Sequence, residues 1–287
     1  MTTTITIQDI YFTVSINKHK RVLYRHKVSN GTFTDVTSDV GLGPSRYASG
    51  AGWVDVDQDG DLDLYVTTVG DSRHYLYINY GGFFAEEAEK RNCSLQFENK
   101  RKLAGMTPNF GDFDKDGFLD IYVTEWILHS LGKPSASRLL RNIGYKNPGY
   151  FEDVTDATGV NMDGYRGGTP LNKGTHTFGA SFTDFDDDGW PELLVTADYG
   201  DSKMFWNQNG KKFVECTKKC GLIGEQDAMG HAIGDWDNDG RLDWFSSAIF
   251  HNRTDCSVVG CVFGSGGNRL YRNQGNKKFE DATDKKR

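Results

Sequence analysis

Residues 55–63 read DVDQDGDLD, with aspartates at alternating positions around a single glycine. Carboxylates packed this closely repel one another, so such a loop needs a cation in its middle. Oxygen ligands at positions 1, 3 and 5, a carbonyl at position 7 and a later carboxylate, with glycine at position 6, wrap a hard ion such as calcium. Here these are Asp55, Asp57, Asp59, the carbonyl of Asp61, and Asp63, with Gly60 at the bend. An EF-hand places its last acid at position 12 and has helices on both sides. This loop closes at position 9 and runs into LYVTT, which reads as a strand. The expected frame is a β-hairpin with a metal in its bend.

The pattern returns as DFDKDGFLD, DFDDDGWPE and DWDNDGRLD, beginning at Asp112, Asp184 and Asp235, with spacings of 57, 72 and 51 residues. The second set of ligands is Asp112, Asp114, Asp116, the Phe118 carbonyl and Asp120. The third is Asp184, Asp186, Asp188, the Trp190 carbonyl and Glu192, and the fourth Asp235, Asp237, Asp239, the Arg241 carbonyl and Asp243. Position 4 is Gln58, Lys115, Asp187 and Asn238, so identity is relaxed where no ligand is needed. Four copies with every ligand position filled separate this pattern from a chance acidic turn.

The 287 residues suffice for a buried core, and the repeats favour one repetitive domain. Thirty-four glycines and 13% aromatic residues, with little helical periodicity, predict many short strands between tight turns, an all-β fold. The formal charge of -7 is concentrated in the four loops, and four divalent ions would more than neutralise it. No basic stripe suggests nucleic acid, and no apolar run approaches a membrane span.

Five cysteines include two close pairs, Cys216 with Cys220 and Cys256 with Cys261, leaving Cys93 over. Local disulfides in an oxidising compartment fit this spacing, although connectivity cannot be read from it. Sequons at Asn30, Asn92 and Asn252 are candidate glycosylation sites and point the same way. The N-terminus, MTTTITIQDIYFTVSI, lacks the basic and apolar segments of a secretion signal, so an extracellular protein of this sequence is expected to be a fragment or a shortened isoform.

Each unit extends beyond its loop. An apolar residue (Trp53, Phe110, Phe182, Ile233) stands two residues before the first aspartate, and the strand after the last acid is apolar on both faces, as in LYVTT, IYVTE, LLVTA and WFSSA. Such a strand is covered on both sides. A second strand ends in arginine or an aromatic residue followed by asparagine, as in LLRN, MFWN and LYRN. A tight turn then leads to strands beginning at Phe33, Phe84, Phe151, Phe213 and Phe279. Four short strands per unit make one β-propeller blade.

The loops, the preceding FGDFD and IGDWD, and the phrase RLYRNQGNKKFEDAT resemble FG-GAP or VCBS repeats, most like those of the cartilage acidic protein family. The resemblance implies calcium-binding propeller blades like those of integrin α chains, and an extracellular, largely non-catalytic protein of adhesion or matrix binding. It covers residues 31–287, with residues 1–30 as a partial blade. After Thr283 the chain lacks the G-L or G-V continuation of earlier units, and the unit before Phe33 lacks its metal loop. An incomplete ring is therefore favoured over five-bladed closure.

No enzyme motif competes with this reading: the paired acids belong to the loops, the histidines show no metal-ligand spacing, and no nucleophile elbow, Walker loop or dinucleotide fingerprint occurs. The expected function is an extracellular interaction module binding a protein or matrix component; a glycan-binding propeller is the alternative, and a hydrolase or lyase a more distant one. Strand alternation puts the calcium loops and the Asn/Gly turns on one face. The long connections from Glu125, Asn161 and His251 fall on the other, where Trp126, Tyr165 and Arg166 are the expected anchors.

Overall fold

Each apolar run after an acidic loop becomes the second strand of an antiparallel sheet, because its two apolar faces must both be covered. A computed structural model describes residues 10–12, 22–27, 29–43, 47–96, 102–126, 137–162, 175–222, 228–249 and 267–283. The first sheet holds β1 (Ile10–Phe12), β2 (Val22–Lys27) and β3 (Thr32–Asp35). The second holds β4 (Ala48–Val54), β5 (Asp63–Thr68), β6 (Tyr75–Asn79) and β7 (Phe84–Glu86). The third holds β8 (Gly105–Gly111), β9 (Asp120–Glu125), β10 (Arg138–Asn142) and β11 (Phe151–Asp153), followed by the single-turn helix α1 (Thr155–Thr158). The fourth holds β12 (Thr177–Thr183), β13 (Glu192–Ala197), β14 (Lys203–Asn207) and β15 (Phe213–Glu215). The fifth holds β16 (Ala228–Gly234), β17 (Asp243–Ala248), β18 (Arg269–Gly275) and β19 (Lys278–Asp281).

Every sheet is an up-and-down meander, and the register repeats from one to the next. Leu64 faces Tyr77, Ile121 faces Leu140, Leu193 faces Phe205 and Trp244 faces Tyr271. In the first sheet Ile10 faces Tyr24 at the same place, which makes β1 a second strand and leaves that sheet without a first one among the described residues. The expected boundary at residue 30 falls in the turn between β2 and β3, inside this sheet.

The first strands β4, β8, β12 and β16 pack in succession, and apolar layers fill the gaps between sheets. One layer joins the first and second sheets through Leu23, Val66 and Tyr77. The next joins the second and third through Tyr65, Leu76 and Val123. The third joins Tyr122 and Leu139 to Leu193 and Phe205, and the fourth joins Leu194 and Met204 to Trp244 and Tyr271. Four-stranded meanders stacked face to face in this way are propeller blades. Among the described residues no such layer joins the fifth sheet to the first, so the arc is an incomplete β-propeller. β5, β9 and β13 are buried at every residue, whereas β17 exposes Phe245, because among the described residues no further sheet packs on that side of the fifth sheet.

Buried polar pairs also cross between blades. His74 Nε2 meets Glu125 Oε1 at 2.7 Å with both side chains buried, joining the second and third sheets. Cys216 and Cys220 form a disulfide in the turn after β15, while Cys93 is free and buried. Cys256 and Cys261 lie outside the described residues.

Candidate metal centres

The four acidic loops join the first and second strands of the last four sheets, and they share one backbone fold. Position 4 takes a left-handed backbone (φ 59° at Gln58, 55° at Lys115, 58° at Asp187, 59° at Asn238), and the glycine at position 6 does the same. The glycine N–H donates to the position 1 carboxylate: Gly60 to Asp55 (3.1 Å), Gly117 to Asp112 (2.9 Å), Gly189 to Asp184 (2.8 Å) and Gly240 to Asp235 (2.9 Å). Position 5 accepts the N–H of position 7, as at Asp59 from Asp61 (2.9 Å) and Asp116 from Phe118 (3.0 Å).

The acid at position 9 anchors each loop to its blade. Asp63 accepts from the N–H of Val56 (3.0 Å) and of Asn79 (2.8 Å), and Asp120 from those of Phe113 (3.0 Å) and Asn142 (2.8 Å). Glu192 and Asp243 do the same with Phe185 and Asn207, and with Trp236 and Asn273.

What remains is a set of oxygens with nothing to bond. One buried oxygen of each position 3 carboxylate, Asp57, Asp114, Asp186 and Asp237, has no hydrogen-bond partner, and neither has one oxygen of Asp55 or Asp184 at position 1. The other oxygen of every position 3 carboxylate meets a basic side chain: Arg91 at Asp57 (3.2 Å), Arg141 at Asp114 (2.5 Å), Lys277 at Asp186 (2.9 Å) and Arg272 at Asp237 (2.6 Å). Orphaned buried acceptors carry a large desolvation penalty, and their convergence suits a cation. Asp55, Asp57 and Asp63 bring one oxygen each within 4.8 Å of one another, as do Asp112, Asp114 and Asp120, Asp184, Asp186 and Glu192, and Asp235, Asp237 and Asp239. All-oxygen carboxylate clusters of this kind can hold a hard divalent ion.

The electrostatics agree. Burial pushes Asp63 up to about 7, and Asp120 and Glu192 up to about 8, against the pull of the two N–H donors that each accepts. Asp57 is raised by burial and by Asp59 beside it, with Arg91 opposing. These shifts reflect the cost of keeping a buried carboxylate charged, which a bound dication would relieve.

The basic partners and the strand-end asparagines escaped the sequence reading as site residues. Arg141 and Arg272 are the arginines of LLRN and LYRN. Where that place holds Ile78 or Trp206, Arg91 from beyond β7 and Lys277 from the next blade reach in instead, Lys277 lying over the Trp206 ring at 4.9 Å. The asparagine at or near the end of β10, β14 and β18 does more. Asn142 Nδ2 donates to the carbonyl of Val56 (2.7 Å), Asn207 Nδ2 to that of Phe113 (2.9 Å) and Asn273 Nδ2 to that of Phe185 (2.8 Å). Each of these carbonyls belongs to position 2 of the preceding blade's loop, so one blade clasps the metal loop of the blade before it.

Of the expected anchors, Trp126 is half-buried, donates its indole N–H to Asp198 (3.2 Å) and packs edge-on against His176; Tyr165 and Arg166 lie outside the described residues. Asn30 and Asn92 are exposed, and Asn252 lies outside the described residues.

Stacked four-stranded blades, each with an acidic loop between its first two strands, define a propeller built on repeats that carry candidate metal loops. The FG-GAP-like repeat model matches residues 7–66, 55–123 and 184–246, more than half of the chain, and the protein belongs to that family. No curated protein matches it. Among solved structures it is similar to YCF48 from Cyanidioschyzon merolae, with 10% identity and a TM-score of 0.39 over 93% of this chain and 70% of that one. The V. cholerae biofilm matrix protein Bap1 matches with 14% identity and a TM-score of 0.32 over 81% of this chain, which spans 38% of Bap1. Neither likeness is strong enough to bear on function.

Proposed function

We propose that the protein is a calcium-stabilised β-propeller module of the extracellular space that binds a protein or matrix component. The observation that supports calcium is the recurrent position 3 carboxylate, with one oxygen held by a basic side chain and the other buried and orphaned. A basic partner that orients a ligand from outside is a familiar companion of metal ligands. Asp55, Asp57 and Asp63 and their counterparts would hold the ion, which supplies charge neutralisation and rigidity rather than chemistry.

The disulfide between Cys216 and Cys220 favours an oxidising compartment, and no helix among the described residues is long and apolar enough to cross a membrane. The resemblance to cartilage acidic protein repeats, carried by RLYRNQGNKKFEDAT, belongs to the same reading. The role is non-catalytic. The acids are committed to the loops, the His74–Glu125 pair is sealed from solvent, and His231, 2.6 Å from Ser181 Oγ, has no partner on Nδ1.

Extracellular calcium modules bind with dissociation constants of roughly 0.1 to 1 mM. Tenfold excess over such a constant stabilises by about 1.4 kcal/mol per site. Chelation should therefore lower the melting temperature steeply, and magnesium should restore less than calcium does. A melting curve indifferent to excess chelator would overturn the calcium reading. Calcium-dependent pull-down from extracellular matrix, with a glycan array alongside, tests the partner.

A further inference from the structure

The two ends of the arc expose the two halves of an interface that the chain makes within itself at every internal junction. In the first sheet Tyr24 pairs with Asp35, as Tyr77 pairs with Glu86, Leu140 with Asp153, Phe205 with Glu215 and Tyr271 with Asp281. Phe33 likewise stands where Phe84, Phe151, Phe213 and Phe279 stand. In the later sheets this phenylalanine is 5%, 1%, 5% and 6% exposed and packs on the preceding sheet; Phe33 is 48% exposed.

At the other end, Trp236 occupies the place of Val56, Phe113 and Phe185. Phe245, paired with Leu270, occupies the place of Tyr65 paired with Leu76, Tyr122 with Leu139 and Leu194 with Met204. Those counterparts are all buried against the next sheet, whereas Trp236 and Phe245 are each 39% exposed and line a shallow groove with Leu270. Inside the molecule Phe113 meets Phe213 at 5.8 Å and Phe185 meets Phe279 at 5.5 Å between ring centroids. Trp236 and Phe33 are the same two positions with no such contact between them.

We infer that the outer face of the fifth sheet docks on the outer face of the first sheet of a second copy, head to tail, with Trp236 of one copy against Phe33 of the other. The occupant follows from continuity with the interface made at every internal junction: each copy carries both complementary faces, and among the described residues neither face is covered by the other. His26 supports the match. It stands in the first sheet where Asn142, Asn207 and Asn273 stand in the others, packs on Phe33 at 5.0 Å, and has a ring N–H able to clasp the Trp236 carbonyl as those asparagines clasp theirs. An interface of two different faces is heterologous, so it extends or closes into a ring rather than stopping at a symmetric pair.

Sedimentation velocity of the calcium-loaded full chain tests this. The wild type should associate with rising concentration, and Trp236→Glu and Phe33→Glu should each weaken association by more than about tenfold. The two variants mixed should form a one-to-one dimer and nothing larger, since each retains the face the other lacks. Both side chains are exposed, so unchanged circular dichroism confirms that each variant folds. A wild type that stays monomeric at every concentration, or a mixture that fails to recover the dimer, would overturn the proposal. So would a monomer whose melting temperature falls with Trp236→Glu, because that indicates closure within one chain.

Discussion

Phe185 and Trp236 occupy the same position in two copies of one nine-residue motif, yet Phe185 is 3% exposed and Trp236 39%. The loops around them have matching hydrogen bonds, left-handed turns and position 3 ion pairs. They differ in the neighbour on their far side. The fifth sheet packs Phe279 on Phe185 and clasps its carbonyl through Asn273, and among the described residues nothing does this for Trp236. An acidic loop in this protein is thus folded by its own blade and sealed by the next one. The candidate ligand sets reflect the same difference, the sealed loops combining positions 1, 3 and 9 and the open loop positions 1, 3 and 5.

The largest expected effect separates the two positions directly. Phe185→Ala should destabilise the calcium-loaded protein by about 3 to 5 kcal/mol in chemical denaturation, the range for emptying a buried aromatic site. Similar losses at Phe185 and Trp236 would erase the distinction between sealed and open loops.

The clasp comes next. Asn207→Ala strands the Phe113 carbonyl in the core and should lower stability by about 1 to 3 kcal/mol. Asn79→Ala should lower it by less, because Asn79 Nδ2 bonds only the Leu62 carbonyl of its own blade.

A third expectation concerns pH. In the ion-free protein burial holds Asp63 at about 7 and Asp120 and Glu192 at about 8. A carboxylate raised above its unfolded value binds more protons folded than unfolded. Ion-free stability should therefore fall as pH rises from about 4 to 8. Calcium reverses this by pulling the same groups down, so binding near neutral pH should release protons and tighten as pH rises. Titration calorimetry in buffers of different ionisation heat reads the release, which should fade as pH climbs above these values.

The smallest effect is Trp236→Ala, within about 0.5 kcal/mol for the monomer, as for most exposed substitutions.

The acidic loops, the doubly covered second strands and the four-strand unit were legible because their signals are local: fixed spacing, two-residue alternation and a recurring turn. The asparagine of LLRN, MFWN and LYRN was visible as a recurrence, but its role was not, because the carbonyl it holds lies 86 to 94 residues earlier in the chain. The basic partners of position 3 were harder still. Arg141 lies 27 residues after Asp114, whereas Lys277 reaches Asp186 from another blade, so no spacing unites them. Phe33 was read as one of the recurring strand starts and Trp236 as part of DWDNDGRLD, and their exposure was not legible because it depends on a neighbouring sheet that is absent among the described residues.

The asparagine clasp has a thermodynamic consequence. A loop whose carbonyl is gripped by the next blade cannot change shape without being felt there, so ion binding in one blade and docking of the next are linked, and linkage is reciprocal. The array then behaves as a row of nearest-neighbour couplings, in the manner of other repeat proteins. The loops at Asp55, Asp112 and Asp184 share such couplings, while the loop at Asp235 has no clasp from the far side among the described residues. Calcium should accordingly fill the molecule in two phases, three sites rising together and one by itself, and thermal fraying should begin at the fifth sheet.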